Sequence, residues 1–70
     1  MTITIKNVPD YIGIYSIKSL CSLHGTVDRS RRMLDGTVKI KMLYPKDAKK
    51  VCKEINETSL LGNTLEATLQ

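Results

Sequence analysis

The side chains best able to do chemistry in this 70-residue chain are cations gathered in its middle third. Residues 28–53 hold nine of the 11 Lys and Arg residues but only three of the seven acids, a local charge of +6 against +4 for the whole chain. Guanidinium groups bind phosphate oxygens in pairs, and ammonium groups bind them as point charges. This distribution predicts an anionic partner, nucleic acid first, with a solvated basic face as the alternative.

The densest cations fall in two neighbouring segments. Three arginines stand within four residues, and two lysines alternate with apolar residues a few positions later. Arginine suits such a surface because it can hold a phosphate through two hydrogen bonds or lie flat on a base. We expect the anion-binding surface to comprise Lys6, Arg29, Arg31, Arg32, Lys39 and Lys41.

Metal and redox chemistry have few candidate residues. The chain has one histidine, His24, and two cysteines, Cys21 and Cys52, which are too few and too far apart for a four-ligand zinc site. We therefore expect no metal and no cofactor.

The compartment is predicted from what the sequence lacks. It contains neither an 18-residue apolar run nor a leader with a charged start and an apolar middle, so we expect an intracellular protein without a membrane partner. The nucleus and the cytoplasm both stay open. Reduced thiols are expected at Cys21 and Cys52 in that setting, and a disulfide between them is the alternative.

The hydrophobic pattern predicts elements in the order βαββαβ. Apolar and polar residues alternate in most of the expected strands and recur at helical spacing in the expected helices, while the second strand rests on its position. The predicted strands cover residues 2–6, 27–34, 37–42 and 64–69, and the predicted helices cover residues 16–24 and 45–55. Such an order implies one ferredoxin-like α+β domain, with a four-stranded antiparallel sheet, both helices on one face and the other face open.

Local signals predict how these elements end. Ser16 is placed to cap the first helix and Gly25 to end it. The pair Asp35-Gly36 predicts a two-residue hairpin turn between the second and third strands, because both positions of such a turn need positive φ. Residues 56–63 are expected to be a connector.

Alternation also predicts which side chains face away from the helices. On the second strand the choice stays open between Arg29 with Arg31 and Arg32 alone, because a bulge would exchange them. The outward side chains expected on the other strands are Thr4, Lys6, Thr37, Lys39, Lys41, Glu66 and Thr68.

The order and spacing of several short segments resemble the RNA recognition motif over almost the whole chain. ITIKNVP, residues 3–9, is similar to the family's shorter ribonucleoprotein motif, and DGTVKIKM, residues 35–42, stands where the longer motif falls. Residues 16–27 and 47–65 resemble the parts around the two helices. The resemblance implies a non-catalytic domain that binds RNA on its open sheet face.

The stacking residues that the resemblance implies are missing. The family would place aromatic rings at Thr4, Thr37 and Lys39, where stacking on a base contributes about 1–3 kcal/mol. We therefore expect weak binding of single-stranded RNA, carried by charge, with Tyr11 and Tyr15 of a loop at residues 11–15 either stacking a base or packing against the rim. The expected site comprises Thr4, Lys6, Arg29, Arg31, Arg32, Thr37, Lys39, Lys41, Tyr11 and Tyr15.

Two other classes of function compete with RNA binding. A protein-interaction or dimerisation module is the alternative, favoured by the missing rings and disfavoured by a charged sheet face. An enzyme is not expected, because residues 8–13 offer neither an arginine for a phosphate-cradling loop nor a Cys-x-x-Cys. The domain could also be part of a longer protein whose neighbouring domains supply specificity.

Overall fold

The structure is a computed structural model that describes residues 1–69. The predicted order of elements is confirmed, with a small additional hairpin before the last strand. The elements are β1 (Thr2–Lys6), α1 (Ile14–Ser22), β2 (Val27–Arg32), β3 (Val38–Met42), α2 (Pro45–Ile55), β4 (Ser59–Leu60), β5 (Asn63–Thr64) and β6 (Glu66–Leu69).

The main sheet has four antiparallel strands in the order β2-β3-β1-β6. Alternate residues of β1 and β3 are buried against the two helices, and this burial stabilises the fold. The predicted ferredoxin-like α+β fold is therefore confirmed. The core consists of Ile3, Ile5, Ile17, Cys21, Val38, Ile40, Met42, Ala48, Val51, Ile55, Leu65 and Ala67. Neither helix of the described chain is long and apolar enough to cross a membrane.

Helix α1 begins two residues before the predicted cap. Gly13 is the N-cap residue, and the amide of Ser16 donates to the Gly13 carbonyl at 3.1 Å. Ser16 therefore lies inside the first turn and cannot cap it, so that prediction was wrong. Tyr15 consequently belongs to the helix and not to the preceding loop.

Gly25 has a different role from the predicted one. Helix α1 ends at Ser22, with Leu23 as its C-cap, and the residues with positive φ in the described chain do not include Gly25. What restricts this position is space, because an added Cβ would lie 2.7 Å from the Cβ of Asp47 on α2. The glycine lets the chain pass close to the start of the second helix.

The turn between β2 and β3 is longer than the predicted two-residue turn. The amide of Gly36 donates to the Met33 carbonyl at 3.0 Å, and the amide of Met33 donates to the Thr37 carbonyl at 2.7 Å. Of the Asp35-Gly36 pair only Gly36 has positive φ, at 91°. This is the pattern of a three-residue hairpin loop, Leu34 to Gly36, whose last residue is left-handed.

Residues 56–63 were predicted to be a connector, but part of this segment belongs to a small hairpin. Strands β4 and β5 pair within residues 59–64, so Thr64 belongs to this hairpin and not to the last strand as predicted. The two residues between the strands, Leu61 and Gly62, have φ of 49° and 86°. Two successive positive φ values are what a two-residue hairpin turn of type I′ requires. The turn type expected at Asp35-Gly36 thus occurs here instead.

Candidate nucleic-acid interface

A bulge in β2 determines which arginines lie on the open face. The register with β3 shifts between Val27 and Arg29. Beyond the shift, Arg29 lies opposite Lys41 and Arg31 lies opposite Lys39. Directly opposite residues of an antiparallel pair project from the same face, so these four cations share the open face. The choice that the sequence left open is therefore settled in favour of the first two arginines.

The open face carries like charges directly opposite one another. Two adjacent cross-strand pairs, Arg29 with Lys41 and Arg31 with Lys39, are cation against cation. Such pairs destabilise a sheet. Among residues 1–69 the one ion pair joins Lys41 Nζ to Asp28 Oδ2 at 3.9 Å, and both side chains are well exposed, so it contributes little. The face therefore keeps most of its positive charge.

Two cavities open on this face. The larger, about 580 Å³, lies where the β2–β3 hairpin loop meets β1 and β3, and it brings together six of the predicted site residues. They are Thr4, Lys6, Arg31, Arg32, Thr37 and Lys39. The smaller cavity, about 230 Å³, adds Arg29 and Lys41 beside Thr2 and Ser30.

The hairpin loop and the residue before it supply three lining residues that were not predicted from the sequence. Met33, Leu34 and Asp35 line the larger cavity beside the predicted cations. The sequence signal that could have identified this part of the cavity is an apolar residue, Leu34, beside the predicted hairpin turn. Leu34 is fully exposed in the structure. Asp35 accepts the amide hydrogen of Thr37 at 2.9 Å, and this bond lowers the pKa of its carboxyl group.

Thr4 occupies the centre of the open face yet is 6% exposed. It lies opposite Lys39 on one side and Thr68 on the other. Long polar side chains can cover neighbouring surface with their aliphatic stems, which accounts for the burial. Within residues 1–69 the Thr4 hydroxyl has no hydrogen-bond partner.

Arg32 holds the β1–α1 loop. It lies opposite the buried Val38, so its side chain leaves from the helix-facing side of β2. Its guanidinium donates to the carbonyls of Ile12 at 2.7 Å and Pro9 at 3.1 Å, and more distantly to Asp10 at 3.5 Å. These bonds occupy most of the donors that would otherwise be free for a phosphate.

The two predicted tyrosines lie outside both cavities. Tyr11 sits in the loop held by Arg32 and Tyr15 near the start of α1, and their exposed fractions are 69% and 78%. Tyr11 and Tyr15 are thus available to a ligand but are not grouped with the cations of the sheet.

The cysteines are free and are not arranged for metal binding. Cys21 is buried, and desolvation raises the pKa of its thiol to about 11; burial also raises the pKa of Cys52. Residues 1–69 contain no group of three His, Cys, Asp or Glu side chains placed to hold a metal ion.

Comparison with known proteins identifies the fold. No protein-family model and no curated protein sequence matches the chain. Among solved structures, the Rna15 RRM with bound RNA (GU) aligns with a TM-score of 0.90 and 18% identity over 99% of this chain and 81% of that one. The RRM of S. pombe Puf1 aligns with a TM-score of 0.89 and 15% identity, over 100% of this chain and 96% of that one.

RNA recognition domains 1 and 2 of Sex-lethal from Drosophila melanogaster align equally well. The TM-score is 0.89 at 15% identity, over 96% of this chain and 47% of that one. The chain therefore has the fold of the RNA recognition motif, and the resemblance seen in the sequence is confirmed for the fold.

Proposed function

We propose that the chain is a non-catalytic RNA-binding domain that holds single-stranded RNA on its open sheet face. The observation that carries the proposal is the pair of like-charged cross-strand contacts, Arg29 with Lys41 and Arg31 with Lys39. Repulsion between these side chains disfavours the free protein, and a bound phosphate backbone would relieve it. The Rna15 RRM, which has the same fold, was solved with RNA bound, and this favours RNA over other polyanions.

The binding is expected to be weak and dominated by charge. Thr4, Thr37 and Lys39 stand where aromatic rings would stack on bases, so that contribution of about 1–3 kcal/mol per base is lost. Counterion release then provides most of the affinity. For each unit by which log[salt] rises, log K falls by about 0.7 for each phosphate neutralised. Little sequence preference is expected from the phosphate contacts themselves.

A protein-interaction or dimerisation module is the second candidate. Tyr15 and Leu23 on the helical side of the molecule are 78% and 76% exposed. Aromatic and aliphatic side chains of this kind serve as anchors in protein interfaces. A partner that docks on this helical side, and not on the sheet face, is separable from RNA binding by mapping.

The test is a titration of the isotope-labelled chain with short single-stranded RNAs, following backbone amide shifts. Arg31→Gln/Lys39→Gln removes two cations from the sheet face, and Lys49→Gln/Lys50→Gln removes two exposed cations from α2 as a matched control. We expect shifts within residues 2–6, 29–31 and 37–41 that are clearly smaller at the same RNA concentration in the first variant and unchanged in the second. No shifts at low salt, or shifts confined to α1, would contradict the proposal.

A further inference from the structure

The larger cavity has two chemically different sides. Its floor is the sheet, which presents the cations Lys6, Arg31 and Lys39 around Thr4. Its wall is the hairpin loop together with the preceding Met33, and it presents apolar and acidic groups from Met33, Leu34 and Asp35. A phosphate backbone alone requires only the floor.

The floor contains a polar group that lacks a partner. Thr4 is 6% exposed, and its hydroxyl makes no hydrogen bond to any group in residues 1–69. A buried hydroxyl without a partner is destabilising. Lys39, directly opposite Thr4, has a long side chain, and its movement toward a phosphate would give a ligand access to this hydroxyl.

The wall disfavours phosphate and suits a base. The Asp35 carboxylate would repel a phosphate, but it can accept hydrogen bonds from N–H groups. Met33 and fully exposed Leu34 offer an apolar surface for the flat side of a base. The volume of about 580 Å³ lies within the range of small-molecule sites, which run from about 300 to 1,000 Å³.

We propose that this cavity seats one nucleotide of the bound RNA and favours guanine. The base lies against Met33 and Leu34, and its N–H groups donate hydrogen bonds to Asp35. The Thr4 hydroxyl forms a hydrogen bond with the nucleotide. The neighbouring phosphate lies over the cations of the floor. This inference rests on the proposed RNA binding and assigns it a specific position on the face.

Guanine is favoured by the arrangement of its donors. Its Watson–Crick edge carries two adjacent N–H donors, which match the two oxygens of a carboxylate. Uracil presents one N–H between two carbonyl oxygens, and adenine and cytosine each place a ring acceptor beside their amino group. A carboxylate repels those acceptors, so each of the other three bases gains less at Asp35.

The first test compares oligouridine with the same strand carrying one central guanosine or one central adenosine. We expect the guanosine strand to bind about fivefold more tightly, the low end of the discrimination found for two-point base contacts. Asp35→Asn should remove this preference and strengthen oligouridine binding, because a repelling charge is lost. Equal affinities for the three strands on the wild type would overturn the inference.

The second test uses Thr4→Val, which keeps the shape of the side chain and removes the orphan hydroxyl. Affinity for the guanosine strand should fall about two- to tenfold, as expected for one lost hydrogen bond, while the urea midpoint for unfolding should rise. A purely structural role for the hydroxyl would not produce these opposite changes. Unchanged affinity would overturn the role of Thr4.

The two levels of the proposal can fail separately. If the wild type binds oligouridine in a salt-dependent way without preferring guanosine, the nucleotide site is wrong and the proposed function stands. If no strand binds at low salt, both are wrong.

Discussion

At the scale of single residues, directly opposed cations connect stability with binding. Arg31 and Lys39 face each other beside Arg29 and Lys41, and the nearby Asp28 neutralises only part of this charge. The free sheet keeps a repulsion that an anionic ligand would remove. Substitutions at these positions that stabilise the RNA-free domain should therefore weaken RNA binding.

Arg31→Glu is expected to show this opposition. It replaces a like-charged cross-strand pair with an opposite pair, which should raise the free energy of unfolding by about 0.2–1 kcal/mol and reduce RNA affinity. Urea denaturation and RNA titration measure the two effects. Lys18→Glu on the exposed side of α1 makes the same change in net charge and should leave both nearly unaltered. A less stable Arg31→Glu domain would contradict the account.

Arg32 is the arginine whose role depends most on tertiary contacts. Residue types alone offer no reason to separate it from Arg29 and Arg31, which stand within the same four residues. The bulge before Arg29 turns Arg32 toward the helix layer, where it bonds to carbonyls of the β1–α1 loop. A register shift of this kind cannot be located from the pattern of residue types alone.

Arg32→Lys should destabilise the fold by about 2 kcal/mol. Lysine keeps the charge but cannot reproduce the forked hydrogen bonds to Pro9 and Ile12, and bonds from charged donors contribute about 1.5–3 kcal/mol each. The measurement is the free energy of unfolding in urea. Arg29→Lys, on the open face, should stay within about 0.5 kcal/mol of wild type. Equal losses of stability in the two variants would argue against a stabilising role for the hydrogen bonds from Arg32 to the β1–α1 loop.

At the scale of elements, the sequence located the strands and helices better than their ends. Alternation placed β1 and β3 to within one residue, because one face of each strand is buried, whereas the last strand begins at Glu66 and not at the predicted residue 64. The turns were harder to predict, since Gly36 suits either a two-residue or a three-residue loop and the choice depends on the register. The turn at Leu61-Gly62 was missed because leucine at positive φ is unusual.

Leu61→Asn should stabilise the domain by about 1 kcal/mol. Leu61 is 66% exposed and has φ of 49°, so little packing is lost and the left-handed conformation suits asparagine better. Thermal or urea unfolding measures the gain. Leu34→Asn is the control, because Leu34 is also an exposed leucine in a hairpin loop but has no positive φ. A comparable gain in the control would mean that exposed surface, and not backbone strain, is responsible.

At the scale of the whole molecule, three adjacent strands present five cations on one face. Most of this surface could be predicted, because residue types and period two place Lys6, Lys39 and Lys41 outward. The wall of the larger cavity could not be predicted, because it depends on where the β2–β3 loop lies relative to the sheet. The proposed function rests on the charge of this face, whose cations are Lys6, Arg29, Arg31, Lys39 and Lys41.

The most direct test of RNA binding by charge is the salt dependence of the affinity for a short oligouridine. If each of the five face cations neutralises one phosphate, log K should fall with log[salt] at a slope near −3.5, about 0.7 for each contact. Arg31→Gln/Lys39→Gln should make the slope shallower by about 1.4, and Lys49→Gln/Lys50→Gln should leave it unchanged. An affinity that does not depend on salt, or equal changes in the two variants, would contradict the account.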